Sequence, residues 1–245
     1  MQLEALVLRL RPMRPAEAAD LGTRLAGRAA RSLYPCCALA LLPVLALALA
    51  TAPLAGWLPP LVLWWGKPWL DRTLLFVLSR AAFGVTTRPG EVWAARREVW
   101  LRQLPSSWTL RRLSASRAFT QPVHQLEQLR GAERRARLRQ LRVGQSTASR
   151  LLTGSYSMAE TALMIACASL ALWFAPQGRD SGVLLERLLG DNGFAGMLGT
   201  TLLYALVILF LEPFYVASGF AMYLNRRVEL EAWDVEQELR RAFAT

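Results

Sequence analysis

The sequence predicts an all-α fold: an integral membrane helical bundle of about four transmembrane helices, with further amphipathic helices at the membrane interface and in the cytoplasm. Of its 245 residues, 53% are hydrophobic, and they concentrate in the long stretches 33–65, 156–175 and 194–224. The block at 86–150 carries fourteen arginines and only four acidic residues. Long apolar stretches are typical of membrane spans, and arginine-rich connections stay on the cytoplasmic side. The pattern therefore predicts both the class of protein and its orientation.

The net charge of +11 would indicate a nucleic-acid partner if the protein were soluble. Here most of the excess lies in residues 86–150, where fourteen arginines minus four acids give +10. Retention of positive charge on the inner side accounts for it, and that side faces anionic lipid headgroups. We therefore expect membrane lipids as partners and no nucleic acid.

Residues 1–85 are expected to form an interfacial helix, a first transmembrane hairpin and a second interfacial helix. Apolar residues spaced by four, at Leu21, Leu25 and Ala29, predict the first of these as an amphipathic helix over 16–32. The first crossing is expected at Leu33–Thr51.

The second crossing has two interpretations, because the uncharged segment at 53–66 has only fourteen residues against the ~20 that a span requires. It is either a span kinked at Pro59-Pro60 or part of a re-entrant hairpin over 33–65. Residues 69–83 are expected to lie at the interface, since a span there would bury Arg72 and Arg80 in lipid.

Residues 86–150 are predicted to be a basic cytoplasmic helical region. A repeat of seven relates Val92 to Val99 and Trp93 to Trp100 in one helix. Another helix is expected from Thr120 to about residue 143, where a glycine at 144 can end it.

Residues 151–224 are predicted to form the second transmembrane hairpin. Its crossings are expected at Tyr156–Ala175 and Phe194–Leu224, joined by an external segment with a short helix at 183–189. Residues 225–245 form a cytoplasmic tail, which places both termini inside.

Glu212 is the most specific candidate functional residue, because it lies inside the last predicted crossing, where an ionisable group indicates a function. Pro213 follows it and leaves the carbonyl of residue 209 without its usual amide partner, and Tyr215 adjoins its face. Glu212 could bind a cation, relay a proton or hold another helix; the alternative is a protonated or hydrogen-bonded glutamate that fixes helix packing. Glu160 is expected at a shallower depth, capped or paired with a cytoplasmic arginine.

Basic residues at the predicted inner interface are candidates for contact with a lipid headgroup or a partner. These residues are Lys67, Arg72, Arg80, Arg226 and Arg227. The alternative near the first hairpin is pairing of Asp71 with Arg72 or Lys67 inside the chain.

No catalytic, cofactor or metal site is predicted. His124 is the only histidine, and Cys36, Cys37 and Cys167 lack the spacing of metal ligands. The sequence therefore indicates a non-enzymatic protein without a cofactor.

Four segments resemble a group of uncharacterised proteobacterial inner-membrane proteins: LRPMRPAEAADLG, GKPWLDRTLLFVLSRAAFG, SWTLRRLSASRAFTQPVHQLEQLRG and LEPFYVASGFAMYLNRRVELEAWDVE. The last segment also resembles, distantly, the end of the membrane domain attached to some glycerophosphodiester phosphodiesterases. Members of the inner-membrane group are typically encoded beside a MoxR-type AAA ATPase and a membrane protein with a transglutaminase-like domain. The resemblance carries over no catalytic residue.

The expected function is therefore that of a scaffold or subunit of an envelope-associated assembly in the bacterial inner membrane, with protein partners in the membrane or cytoplasm. The alternative is a small transporter or lipid-handling protein that uses Glu212. Four crossings give a monomer little room for a pathway, so this alternative requires an oligomer.

Overall fold

The computed structural model describes residues 13–101, 114–173 and 194–231, and these residues are almost entirely helical with no β-strand among them. The prediction of an all-α fold is confirmed. The helices are α1 (Pro15–Arg28), α2 (Ala30–Ala50), α3 (Leu58–Ala81), α4 (Pro89–Ala94), α5 (Arg117–Gln125), α6 (Gly131–Arg142), α7 (Ser146–Trp173) and α8 (Phe194–Glu231), with a π-helical turn at Arg97–Leu101.

Helix α1 is amphipathic, as predicted, and it runs antiparallel along the C-terminal half of α8. The amide of Met13 donates to Oδ1 of Asn225 at 2.9 Å, and the Ser218 hydroxyl donates to the Ala19 carbonyl at 3.2 Å. A Cβ atom on Gly22 would lie 2.6 Å from the backbone carbon of Ala217. The absence of a side chain at this position therefore permits the close approach of the two helices.

Helices α2 and α3 form a hairpin that is joined by turns at residues 51–57. Pro59 and Pro60 lie in the first turn of α3, where a proline removes no helical hydrogen bond, so they begin the helix and do not kink it. The helix then continues through Pro68 to Ala81.

The expectation of a separate interfacial helix at 69–83 is therefore wrong. It assumed that Arg72 would meet lipid in any longer helix. Arg72 is instead buried by protein, and its Nη1 donates to the Trp100 carbonyl at 3.1 Å. Contact with a backbone carbonyl removes much of the cost on which the sequence argument relied.

Two helical segments in the described part of the chain are long and apolar enough to cross a membrane: α2, and Gly196–Glu231 within α8. Only 33% of each apolar window is buried inside the molecule, whereas a core helix of a soluble protein would be mostly covered. The other two expected crossings overlap with α3, which carries Lys67, Asp71 and Arg72, and with α7, which carries Glu160; among the described residues neither helix is apolar enough to count as a candidate span.

Large apolar side chains are exposed along the two hairpins. On α8 they recur every fourth residue, at Leu202, Leu206 and Phe210. The other exposed members of this apolar band include Leu42, Leu47, Trp57, Leu61, Trp64, Leu151, Met158, Ile165 and Leu170. An apolar surface of this extent marks contact with a membrane or with another protein.

The C-terminal half of α8 forms the centre of the molecule. Almost every residue from Glu212 to Asn225 is buried, because α1, α2, α3, α5 and α7 pack around it. Helix α5 crosses it closely at Gly219, where an added Cβ would lie 2.6 Å from the backbone of Ala118. Helix α8 is therefore continuous from the exposed apolar band, on its N-terminal half, to the helices that pack around its C-terminal half.

The region after α3 packs back against α3 through Trp100. Its indole nitrogen donates to Oγ1 of Thr73 at 2.9 Å, and its ring stacks on Trp69 with centroids 4.7 Å apart. The two valines that repeat at seven, Val92 and Val99, are both buried. They belong to α4 and the π-helical turn, whereas the sequence predicted a single helix.

The single helix expected over 120–143 is divided into α5 and α6. Gln128 and Gly131 have φ of 54° and 57°, which a continuous helix does not allow. Gly144, with φ of 75°, ends this region as predicted. The short helix expected at 183–189 and the tail beyond residue 231 lie outside the described residues.

Candidate functional site: a buried ion cluster

Five charged side chains meet where α3, α5 and α7 pack against α8, and each of these four helices contributes at least one of them. They are Lys67 and Asp71 on α3, Arg117 on α5, Glu160 on α7 and Glu212 on α8. We call this group the ion cluster. The spacing of four between Lys67 and Asp71 places both on one face of α3.

Lys67 connects the carboxylates of α7 and α8. Its Nζ lies 2.7 and 2.6 Å from Oε1 and Oε2 of Glu160, and 3.3 Å from Oε2 of Glu212. Through this ammonium group, α3 is tied to both helices of the second hairpin.

Arg117 connects α5 to the same carboxylates. Its Nη2 donates to Oε1 of Glu212 at 3.0 Å, and its Nε lies 2.8 Å from Oδ2 of Asp71. The second contact is an ion pair whose N–H group is not aligned for a hydrogen bond. Glu212 is therefore held between two cations, Lys67 and Arg117.

The ion cluster is largely shielded from solvent. The side chain of Asp71 is 1% exposed, that of Glu212 is 4% exposed and that of Lys67 is 8% exposed. Removing charges from water is costly unless each meets an opposite charge in good geometry. These residues must consequently retain their partners for the helices to pack as they do.

Tyr215 positions Arg117. The guanidinium carbon lies 5.5 Å from the centroid of the Tyr215 ring, and the Tyr215 hydroxyl lies 3.1 Å from Oγ1 of Thr153. Burial opposes the charge of Arg117, but nearby negative groups, above all Asp71, favour it and raise the pKa of the guanidinium above its ordinary value. Arg117 therefore remains a cation in this setting.

Five of the predicted candidates are members of this site or adjoin it, and one of them is Lys67, which was expected to contact a lipid headgroup or a partner and instead pairs with Glu160 and Glu212. Glu212 and Glu160 belong to the ion cluster, Tyr215 lines it, and Pro213 is the buried residue next to Glu212. The sequence predicted that Glu160 would be capped or paired with a cytoplasmic arginine. In the structure its salt bridge is with Lys67, which it shares with Glu212.

Asp71 and Arg117 were missed as site residues. Asp71 was expected to pair with Arg72 or Lys67, but its salt bridge is with Arg117. Arg117 is one of fourteen arginines in its block, and no feature of its neighbours in sequence distinguishes it. The i, i+4 spacing of Lys67 and Asp71 beside a predicted intramembrane glutamate was the one available signal.

The remaining basic candidates contact groups of the same chain. Arg80 pairs with Glu91 at 2.6 Å, Arg226 with Glu229 at 2.6 Å and Arg227 with Glu231 at 2.6 Å. Contact of these residues with lipid headgroups or partners stays a prediction.

A second network holds α6 to the end of α8. Arg137 of α6 contacts Glu231 and also lies 3.0 Å from Oε2 of Glu127. The Tyr223 hydroxyl donates to Oε1 of Glu127 at 2.6 Å, and Arg227 pairs with Glu231. We call this group, Glu127, Arg137, Tyr223, Arg227 and Glu231, the tail network.

No protein-family model, curated protein or solved structure matches the chain. Function is therefore inferred from the residues and their geometry. Among the described residues, no group of three or more His, Cys, Asp or Glu side chains is arranged to hold a metal ion. His124 of α5 contacts Arg134, with 3.4 Å between Nδ1 and Nη1.

Proposed function

We propose that this chain is a non-enzymatic integral protein of the bacterial inner membrane that serves as a scaffold or subunit of an envelope-associated assembly. In this proposal α2, α3, α7 and α8 cross the membrane, and both termini are cytoplasmic. Helices α1, α4, α5 and α6 form a cytoplasmic layer. The observation that carries the proposal is the ion cluster, which joins α3, α7 and α8 to α5 of that layer.

The exposed apolar band supports the membrane placement. On α8 its stripe ends at Phe210, and the buried layer begins at Glu212. With the layer on the cytoplasmic side, the arginine-rich block lies inside, as the charge distribution of the sequence requires. Glu212 then lies at the cytoplasmic edge of the band, whereas the sequence placed it inside the last crossing.

The cytoplasmic layer is fixed to the membrane helices at two places. The ion cluster holds α5, and the tail network holds α6 to the end of α8. A surface that is already ordered loses little conformational entropy on binding, which favours docking of a partner. This rigidity suits a scaffold better than a carrier that must alternate between conformations.

Helix α6 presents a basic stripe to solvent. Arg135, Arg139 and Arg142 lie at i, i+4 and i+7, so they share one face, and all three are exposed. None of them has an ion pair with another described residue. We propose that an acidic surface of a partner protein binds this stripe, and the resemblance described above suggests a MoxR-type AAA ATPase as the first partner to test.

Affinity purification from native membranes tests the scaffold function. We expect the wild-type chain to recover the same proteins repeatedly, and the double variant Arg135→Glu/Arg139→Glu to lose them while still inserting into the membrane. The control Arg28→Glu/Arg31→Glu reverses two exposed charges on α1 and its junction with α2, and should retain the partners. Recovery of the wild-type chain with lipid alone would contradict the proposal.

The second candidate function is a small transporter or lipid-handling protein. The observation that favours it is the presence of two carboxylates, Glu160 and Glu212, on one buried lysine at the edge of the apolar band. Flux or lipid movement in reconstituted vesicles that is lost in Glu212→Gln would support it. Vesicles without activity across ion and lipid substrates would exclude it.

A further inference from the structure

The ion cluster and the tail network differ in their balance of charge. The tail network pairs two arginines, Arg137 and Arg227, with two glutamates, Glu127 and Glu231. The ion cluster has three carboxyl groups, and among the residues that the structure describes only two cations, Lys67 and Arg117, form ion pairs with them. A buried carboxylate without a compensating charge is strongly disfavoured, so something must neutralise the third carboxyl group.

The positions of the carboxylate oxygens show what can neutralise it. Both oxygens of Glu160, both oxygens of Glu212 and Oδ2 of Asp71 lie within 3.3 Å of Lys67 or Arg117. The sixth oxygen, Oδ1 of Asp71, is buried and has no hydrogen-bond partner in the described part of the chain. One oxygen is too few for a calcium or magnesium ion, which takes six or more ligands. It is sufficient for a proton.

Asp71 and Glu212 are close enough to share that proton, because one guanidinium group touches both: Nε of Arg117 lies 2.8 Å from Oδ2 of Asp71 and its Nη2 lies 3.0 Å from Oε1 of Glu212, which brings the two carboxyl groups within hydrogen-bonding reach of each other. An ionised carboxylate only accepts hydrogen bonds, so two carboxyl groups can bond to each other only when one of them is protonated. The usual result for such a pair is a single shared proton.

The titratable and charged groups that face this pair come from α2, α3, α5, α7 and α8. On α3 and α5 they are the two cations of the ion cluster. The other titratable or charged neighbours are Arg72 of α3, Cys37 of α2, Glu160 of α7 and Tyr215 of α8. Arg72 donates to the Trp100 carbonyl, and its charge also acts on Asp71; the ion pairs that join described residues to Asp71 and Glu212 are nevertheless those with Lys67 and Arg117.

We propose that Asp71 and Glu212 form a proton-binding site that holds one exchangeable proton at neutral pH and makes the ion cluster electrically neutral. Release of the proton leaves two adjacent carboxylates that repel each other across the contact between α3 and α8. Arg117 touches both, so the position of α5 in the cytoplasmic layer responds to the proton. The inference goes beyond the proposed scaffold role and is independent of it, because it rests on the charges and distances of the cluster.

Infrared spectroscopy of the full chain in lipid nanodiscs tests this proposal. A protonated carboxyl group has a C=O stretching band that carboxylates lack and that shifts in deuterated water. At neutral pH we expect the wild type to show this band and Asp71→Asn to lose it. Glu160→Gln also leaves two carboxyl groups for two cations, so it should lose the band as well, whereas Glu127→Gln alters only the balanced tail network and should keep it.

A second variant keeps the proposal falsifiable if Asp71→Asn does not fold. Lys67→Gln leaves one cation for three carboxyl groups, so we expect the intensity of the band to double. Absence of the band from the wild type, or its persistence in Asp71→Asn, would overturn the proposal. Absence of the band together with stabilisation by sodium ions would assign the missing charge to a metal cation instead.

Discussion

Replacement of Arg117 by glutamine removes the only contact between α5 and the carboxylates of the ion cluster that the structure describes. The guanidinium lies 2.8 Å from Asp71 and 3.0 Å from Glu212, and the side chains of these acids are 1% and 4% exposed. Breaking a buried ion pair from one side costs about 3–5 kcal/mol. We expect the lower end, about 3 kcal/mol, for two reasons. The Arg117 side chain is 18% exposed, and protonation of one of the acids that it contacts can offset part of the lost positive charge.

The change in thermal stability follows from the length of the chain. For a protein of 150–250 residues, each kcal/mol shifts the melting temperature by roughly 2–4 °C, so Arg117→Gln should lower it by roughly 6–12 °C. Tryptophan fluorescence during heating in detergent measures this shift.

Arg80→Gln is the matched control. It removes a salt bridge of similar length, 2.6 Å to Glu91, but the side chains are 34% and 40% exposed. An exposed pair contributes about 0–1 kcal/mol. Equal shifts for the two variants would refute the reasoning that the ion cluster holds the cytoplasmic layer.

Two further predictions concern the packing around α8. Gly22→Ala should destabilise the protein by about 1–3 kcal/mol in thermal unfolding, because its Cβ would meet the backbone of Ala217; Gly27→Ala, which meets nothing within 4 Å, should stabilise it by about 0.5–1 kcal/mol. A shift of the same sign in both variants would contradict the close contact of α1 with α8. Glu231→Gln weakens the tail network at Arg137, so limited proteolysis should cleave the 126–130 connection faster than in the wild type, and an unchanged cleavage rate would show that this network does not hold α6.

The sequence predicted the features of the fold that depend on local pattern. Apolar length and amphipathic spacing placed α1, α2, α7 and α8, and the glycine at 144 ended the basic region as expected. These signals act within a few residues of one another, so they can be read without knowledge of the tertiary contacts.

The failures occurred where a distant residue supplied the missing partner. Arg72 could enter a long α3 because the Trp100 carbonyl meets it, and no local pattern announces that contact. Similarly, the chain turns at Gln128, next to Glu127, which contacts Arg137 and Tyr223. Tertiary contacts overrode a helix that local propensity favoured.

The candidate site was predicted in part for the same reason. Glu212 stood out because an ionisable residue in an apolar helix is unusual in itself. Arg117 gained its role only from the packing of α5 against Gly219 and Tyr215, which brings it to Glu212. One sequence does not reveal such pairing among fourteen arginines.

The sidedness of two connections tests the central claim most directly. In a variant whose three native cysteines are replaced by alanine, a single cysteine is introduced at Gly144, between α6 and α7, or at Leu54, between α2 and α3. A membrane-impermeant thiol reagent is then applied to intact spheroplasts and to inside-out vesicles. We predict that position 144 is labelled only in inside-out vesicles and position 54 only in spheroplasts. Labelling of both from the same side, or of position 144 from outside, would contradict the account.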